Sequence, residues 1–152
     1  MEPVRDFEDI LQVFDDFEVR YLVIGGLAFI FHAKPRYTKD IDLWLDPAAA
    51  NVEKANRALA VFGSPYLLSA DQNTEILQLG VPPNRIDLLR DPGGASGIVF
   101  EEAWQRRVTS NYGTARTFWI DLDGLIAIKS GIDDPRHQED ARILRQVRDR
   151  RQ

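Results

Sequence analysis

The stretch VIGGLAFIFHAKPRYTKDIDL, residues 23–43, contains the pattern that decides the fold. It opens in an apolar, β-rich run that ends at the paired glycines Gly25 and Gly26, and it continues as the apolar segment LAFIFHA. This order predicts a buried strand that turns sharply into a helix. Pro35 then predicts a loop, and DIDLWL alternates acidic with apolar residues, which predicts a strand with one polar face.

Further helices and strands are predicted on both sides of this stretch. Residues 5–17 carry apolar side chains at helical spacing, and PAAANVEKANRALAVFG has the proline and glycine positions of a helix. TEILQLG and NRIDLLR predict two strands around the turn VPP, and two more strands are predicted around Gly113. Helices are predicted for IVFEEAWQRRV, at residues 98–108, and for DLDGLIAIKSG.

This alternation predicts the fold class. We expect a mixed α+β domain in which one mixed sheet is flanked by helices. The length of 152 residues suits one domain over residues 1–152, with a basic C-terminal helix at about 135–151.

The composition excludes several classes of protein. The chain is 44% hydrophobic and 28% charged, which is typical of a globular protein. Its longest apolar run, YLVIGGLAFIF, has 11 residues and is too short to cross a bilayer. The acidic N-terminal segment lacks the features of a signal peptide, so we expect a cytoplasmic protein without a membrane partner. Because cysteine is absent, any metal must be bound by oxygen atoms or by the two histidines.

The charge distribution is uneven. The net charge of −5 argues against a surface that binds nucleic acid throughout. Residues 136–152 hold six arginines against three acidic residues, a net of +3 that leaves −8 elsewhere. Arg142, Arg145 and Arg148 lie at helical spacing, which indicates a solvated face or, alternatively, a contact with an RNA backbone.

Three aspartates form a candidate metal site. Asp40 and Asp42 project from the same side of the predicted strand, with Cα atoms roughly 6.6 Å apart. Carboxylates this close repel unless one is protonated or both share a cation, and magnesium prefers such oxygen ligands. Asp87 lies in a predicted buried strand, where a charge needs a partner, and it is the candidate third ligand. One or two metal ions held this way are typical of phosphoryl or nucleotidyl transfer.

The glycines add a candidate phosphate site. Gly25 and Gly26 lack a Cβ and precede a helix, so their backbone N–H groups can approach a phosphate at the positive end of that helix. The chain has a strand, then Gly-Gly, then Asp-x-Asp and later an apolar-Asp-apolar run. This order is a more specific signal of such a site than any one of these features alone.

The quoted stretch, together with NRIDLL and LDGLIAIKSG, resembles the signature of the nucleotidyltransferases of the DNA polymerase beta superfamily. The closest branch is the AbiEii-like and MenT-like one, which includes toxins of bacterial toxin–antitoxin systems. The resemblance spans about residues 20–145. It implies a nucleotidyltransferase-like sheet and the magnesium-dependent transfer of a nucleoside monophosphate from an NTP to an acceptor hydroxyl. The acceptor would be RNA such as tRNA, a protein or a small molecule, and an antitoxin would be a further partner.

The resemblance also implies roles for individual residues. Asp40 and Asp42 would bind the catalytic Mg²⁺, and Asp87 would act as the third carboxylate or as the base toward the acceptor. Gly25 and Gly26 would cradle the triphosphate.

Three further residues match the family pattern. Arg36 and Thr38 would contact phosphate or hold the loop, and Lys129 would match a late phosphate-binding lysine. Two of them have a plainer interpretation, because Arg36 could be an ordinary surface residue and Lys129 could extend its charge to solvent. After Lys129 the match weakens, which leaves Arg136 and Asp140 without assigned roles.

Other residues and functions have plainer interpretations. Asp46 precedes Pro47 and is expected to cap the next helix. His32 and His137 lack the spacing of metal ligands and are expected to be packing or surface residues. Two alternative functions stay open: a catalytically silent nucleotide-binding or interaction module of the same fold, and an RNA-binding protein that uses the C-terminal arginines.

Overall fold

A six-stranded mixed sheet forms the centre of the computed structural model, which describes residues 2–71 and 76–151. The strands are β1 (Tyr21–Ile24), β2 (Asp40–Leu45), β3 (Ile76–Leu79), β4 (Arg85–Leu89), β5 (Val108–Tyr112) and β6 (Ala115–Trp119). The helices are α1 (Arg5–Asp16), α2 (Gly25–His32), α3 (Ala49–Phe62), α4 (Phe100–Gln105), α5 (Leu122–Ser130) and α6 (Pro135–Arg151). The predicted α+β fold class is confirmed.

The strand order is β3-β4-β2-β1-β6-β5. β2 runs antiparallel to β1 and parallel to β4, and β1 runs parallel to β6. The outer pairs β3–β4 and β5–β6 are antiparallel hairpins, as the turn signals predict. The strand that carries Asp40 and Asp42 therefore lies between the strand that ends at the glycines and the strand that carries Asp87.

The apolar core explains why these segments fold as they do. Phe7, Ile10, Leu11 and Phe14 recur at helical spacing and are fully buried where α1 packs against α3 and β6. β1 is buried along its whole length, as expected for an inner strand covered on both faces.

Three helices surround the glycine end of β1. α2 begins at Gly25 directly after the strand and packs against α5 and α6. Asp121 caps α5, because its Oδ1 accepts a hydrogen bond of 3.2 Å from the backbone N of Gly124. This arrangement carries Lys129 and Asp140 to the same side of the sheet as the glycines.

The prediction that Asp46 caps the next helix is wrong. α3 begins at Ala49 with Ala48 as its N-cap residue, and no side chain caps it. Asp46 instead accepts a hydrogen bond from the backbone N of Ala48 at 3.0 Å and lies 3.4 Å from Arg20. Asn51 fixes this corner, because its amide bonds the backbone carbonyls of Arg20 and Asp46.

Two other boundaries differ from the sequence prediction. α4 covers only Phe100–Gln105 of the predicted 98–108, because Arg106 leaves the helical conformation. The first residues of the predicted strand TEILQLG, Thr74 and Glu75, lie outside the described residues. Across the described ranges, the structure has no helix of the length and hydropathy needed to cross a membrane.

Candidate active site

At the junction of β1 and α2, the backbone of Gly25 lies beside the side chain of Asp42. Gly25 has a φ of +70°, a conformation that favours glycine, and a Cβ built there would overlap Oδ2 of Asp42. A Cβ at Gly26 would lie 3.4 Å from Oγ1 of Thr38 and 3.7 Å from Nη2 of Arg36. The predicted phosphate-binding glycines are thus in direct contact with one predicted metal ligand and with the loop that leads to it.

The sheet register brings the distant aspartates together. Asp42 is directly opposite Asp87 in the parallel pair β2–β4, and it is also opposite Ile24, the last residue of β1. Asp40 is opposite Arg85. Because side chains at paired positions project from the same face of a sheet, Asp40, Asp42 and Asp87 face one side.

The electrostatics of the pair follow from burial. Burial, followed by the charges of Asp87 and Asp40, raises the pKa of Asp42 to about 7. Burial also raises the pKa of Asp87, against the opposing effect of the Arg85 guanidinium. Two such carboxylates share a proton or require a cation near neutral pH.

Arg85 provides a positive charge at the acids. Its Nη2 lies 3.3 Å from Oδ2 of Asp40, and its Nε lies 3.1 Å from Oδ1 of Asp87. That Oδ1 atom is buried and accepts no hydrogen bond of acceptable geometry. The guanidinium therefore bridges two acids and leaves one buried oxygen without a hydrogen-bond donor.

The donor set fits a hard divalent cation. The acids offer only carboxylate oxygens, and the buried Oδ1 of Asp87 has capacity for a further partner. Within residues 2–71 and 76–151, however, no three Asp, Glu, His or Cys side chains are already grouped so that they could hold a metal ion. Arg85 lies against Asp40 and Asp87, so a cation that joined the three acids would compete with it.

Asp140 joins two cations in the part of the cleft lined by Gly26. Its two oxygens accept hydrogen bonds of 2.7 and 2.8 Å from Nη1 and Nη2 of Arg36, and Oδ2 also accepts one of 2.8 Å from Nζ of Lys129. Although burial alone would raise the pKa of Asp140, the hydrogen bonds from Arg36 and Lys129 lower it. The Arg36 guanidinium also lies 4.0 Å from the centre of the Phe29 ring, so the loop is fixed on two sides.

Lys129 does not extend to solvent. It is 3% exposed, it pairs with Asp140, and its Nζ lies 3.4 Å from Nδ1 of His137. The interpretation of Lys129 as a solvent-reaching residue is wrong, because the packing of α5 against α6 places the side chain against an internal carboxylate. A carboxylate partner offsets part of the cost of burying an ammonium group.

The predicted residues surround one cleft of about 1030 Å³. All the predicted site residues are described, and all but Asp87 line this cleft; these are Gly25, Gly26, Arg36, Thr38, Asp40, Asp42 and Lys129. Asp87 is 7% exposed and does not line the cleft. Residues that the sequence pattern had not assigned also line it, above all Asp140 and Arg85.

The remaining candidates make other contacts, although Arg136 and His137 also line the cleft. His32 is buried and bonds the backbone carbonyl of Ile120 at 2.7 Å, in agreement with a packing role. Arg136 is exposed and pairs with Asp134. Of the other arginines of α6, Arg142 pairs with Glu139 and Arg148 with Asp123.

The comparisons with known proteins agree with the fold. The sequence matches no protein-family model and no curated protein. Among solved structures, it is similar to a crystal structure of the lincosamide antibiotic adenylyltransferase LnuA with lincomycin bound. The TM-score is 0.62 at 19% identity, and the match covers 97% of this chain and 99% of that chain. At this identity the likeness establishes that the chain has a nucleotidyltransferase fold. It does not support the assignment to the AbiEii-like and MenT-like branch.

Proposed function

We propose that this protein is a magnesium-dependent nucleotidyltransferase that moves a nucleoside monophosphate from an NTP to an acceptor hydroxyl. The observation that carries the proposal is the register that sets Asp42 opposite Asp87 and beside the Gly25 turn. Asp42 lies against the turn at the start of α2 and is opposite the buried Asp87. Two acids paired in this way are costly for stability, and metal and phosphate binding would explain them. The proposal places the enzyme in the cytoplasm, where NTPs are available.

On the nucleotide side, the chain offers backbone donors and cations. The N–H groups at the start of α2 can bind phosphate oxygens, and Gly26 leaves room between the turn and Arg36. Arg36 and Lys129 supply positive charge at the same wall, where Asp140 holds both. Thr38 lines the cleft next to them and supports the loop that leads to Asp40.

On the carboxylate side, Asp40 and Asp42 would hold the magnesium, with Asp87 as third carboxylate or base. The chemistry that magnesium supplies at such a site is neutralisation of charge on the phosphates and on the departing pyrophosphate. The acceptor oxygen forms a bond to the α-phosphorus while the bond from that phosphorus to the bridging oxygen breaks. Pyrophosphate leaves with the bridging oxygen, and the hydroxyl proton passes to Asp87.

For the acceptor we favour a small molecule. The structurally similar LnuA is an antibiotic adenylyltransferase with a small molecule bound, and the match covers nearly all of both chains. The sequence resemblance to the AbiEii-like and MenT-like branch supports the alternative of an RNA or protein acceptor and an antitoxin partner. A small-molecule acceptor and an RNA or protein acceptor would give labelled products of different size.

A silent module of the same fold is the second candidate. One observation favours it: Arg85 already neutralises Asp40 and Asp87, so the acids have a partner without any metal. Such a protein would bind an NTP at the glycine turn and release it unchanged.

Incubation with each of the four labelled NTPs, magnesium and cell extract separates the two candidates. We expect label in an acceptor and release of pyrophosphate with at least one NTP. NTP binding by calorimetry without any labelled product would favour the silent module and contradict the transferase.

A further inference from the structure

A second cavity of about 660 Å³ adjoins the cleft. We call it the acceptor groove and define it by Tyr37, Lys39, Gln78, Pro82, Pro83 and Asn84, which line it. Tyr37 also lines the cleft, and three further residues line both cavities; these are Thr38, Asp40 and Arg85. The groove therefore shares Asp40, one of the candidate catalytic acids, with the cleft.

We propose that this groove is the acceptor site and that it takes a small hydroxylated molecule with an apolar ring face and without strong positive charge. This inference rests on the proposed transferase function, and it adds the place and the chemical class of the second substrate.

The geometry of phosphoryl transfer supports the location. The attacking and leaving oxygens lie roughly in line on opposite sides of the phosphorus. Gly25, Gly26 and Lys129 line the cleft and do not line the groove, so the pyrophosphate side is the cleft. The groove lies beyond Asp40, which is where an in-line acceptor has to approach.

The sheet register supports the same location. Gln78 of β3 is directly opposite Asp87 of β4 and lines the groove. Paired side chains project from the same face of a sheet, so the Gln78 amide is next to the carboxylate proposed as the base. A hydroxyl bound beside Gln78 would lie near the group that receives its proton.

The lining indicates the class of ligand. Tyr37 is 77% exposed, and its ring together with Pro82 and Pro83 forms an apolar surface. The amides of Gln78 and Asn84 supply donors and acceptors for hydroxyl groups. The volume lies within the range of about 300–1,000 Å³ typical of small-molecule sites.

The charge of the groove limits the acceptor further. Lys39 is exposed, with its Nζ 5.9 Å from the centre of the Tyr37 ring, while the charge of Arg85 is offset by Asp40 and Asp87. A polycationic acceptor would be repelled by Lys39. A nucleic acid strand needs a series of cationic contacts along its backbone, and among the described residues the groove offers only Lys39 and Arg85.

The absence of cysteine permits a sharp test. Asn84→Cys introduces a single thiol into the groove, and Lys54→Cys introduces one on the exposed surface of α3 as the matched control. Each variant is modified with a small methanethiosulfonate reagent or with bulky fluorescein maleimide. Two readouts follow: magnesium-dependent binding of a non-hydrolysable NTP analogue, and transfer of labelled nucleotide to low-molecular-weight, RNA and protein fractions of extract.

We expect unmodified wild type to label the low-molecular-weight fraction. Fluorescein at position 84 should lower transfer by at least about tenfold, more than the small reagent does, while affinity for the NTP analogue stays within about twofold. Modified Lys54→Cys should behave as wild type. Mass spectrometry of the labelled product should identify an uncharged or anionic acceptor.

Failure of the groove assignment can be distinguished from failure of the proposed transferase function. A wild type that labels no fraction with any NTP contradicts the transferase, and the groove assignment with it. Transfer that continues with fluorescein at position 84 overturns the groove while the transferase stands. Label found only in RNA or protein, or on a polycationic small molecule, overturns the acceptor class.

Discussion

Asp42 and Asp87 face each other directly across the parallel strands β2 and β4, although 45 positions separate them in the chain. Both are on inner strands, and Asp42 also contacts the glycine turn that ends β1. Like charges at opposed positions of a sheet destabilise it unless a proton or a cation joins them. The predictions below follow from this pair and from the cations around it.

The pH dependence of stability should report the state of Asp42. An acid whose pKa is raised binds its proton more tightly in the folded chain, so its contribution to stability is complete below about pH 4 and is lost as the pH rises through about 7. Urea unfolding in EDTA should therefore show that wild type loses about 2 kcal/mol more between pH 5 and pH 8 than Asp42→Asn does. Asp46→Asn serves as the control and should follow wild type. Equal slopes for wild type and Asp42→Asn would contradict the pairing of Asp42 with Asp87.

Arg85 should compete with magnesium. Arg85→Ala removes the cation that bridges Asp40 and Asp87, so Mg²⁺ or Mn²⁺ no longer has to displace it. We expect roughly 1.4- to fivefold tighter cation binding by calorimetry without nucleotide, since a half-exposed ion pair contributes about 0.2–1 kcal/mol. Arg57→Ala, which breaks an exposed pair with Glu53, should leave cation affinity unchanged. Weaker cation binding by Arg85→Ala would show that Arg85 helps the acids to bind the cation and does not compete with it.

Alanine substitutions at Gly25 and Gly26 should have different effects on stability and on nucleotide affinity. Gly26→Ala meets only ordinary contacts, so the free energy of unfolding should change by less than about 1 kcal/mol. Its Cβ would narrow the space between the turn and Arg36, and NTP affinity measured by calorimetry should fall by roughly tenfold or more. Gly25→Ala should instead destabilise the fold by more than about 1 kcal/mol, because of its positive φ and the overlap with Asp42.

Gly63 provides the matched control for this comparison. It has a φ of +93° at the end of α3 with no atom within 4 Å of a built Cβ, so Gly63→Ala carries backbone strain alone. It should lower stability modestly and leave NTP affinity intact. Normal nucleotide binding by Gly26→Ala would remove the glycine turn from the phosphate site.

Asp140 should act as a positioning residue. Asp140→Asn leaves buried Lys129 without its carboxylate and frees Arg36, so we expect a loss of about 3–5 kcal/mol in the free energy of unfolding. The double variant Lys129→Met with Asp140→Leu replaces the buried pair by apolar side chains and should recover most of that stability. NTP affinity should stay at least about tenfold below wild type in the double variant, because Lys129 is removed and Arg36 is no longer held by Asp140.

Glu139→Gln is the control for Asp140, since Glu139 is its exposed neighbour on α6 and pairs with Arg142. It should leave both stability and NTP affinity close to wild type. Recovery of full NTP affinity by the double variant would reduce Asp140 and Lys129 to structural roles.

The local elements of the site could be predicted from the sequence because each has a short-range cause. The β-rich run before Gly25, the alternation of DIDLWL and the turn between β3 and β4 are encoded within a few residues, and the structure follows them. The opposition of Asp42 and Asp87 depends on the pairing and register of β2 with β4, which the sheet sets and no local pattern gives.

The parts that sequence reasoning missed depend on long-range packing. Asp140 contacts Arg36 across 104 positions, and only the packing of α2, α5 and α6 decides that contact. The ion pair of Arg85 with Asp40 depends on the pairing of β4 with β2, which no local pattern encodes. The Asp46 interpretation failed because the tertiary contacts of Asn51 with Arg20 shift the helix start to Ala49.

The central claim is that Asp40 and Asp42 support nucleotidyl transfer, and one comparison tests it most directly. Wild type, Asp42→Asn and Asp46→Asn are incubated with labelled NTP, magnesium and extract, and labelled product and pyrophosphate are measured. Asp46 is the third acid of the run RYTKDIDLWLD, but it pairs with Arg20 and does not line the cleft. We predict transfer by wild type and Asp46→Asn and a loss of at least about a hundredfold in folded Asp42→Asn. Undiminished transfer by folded Asp42→Asn would contradict the claim.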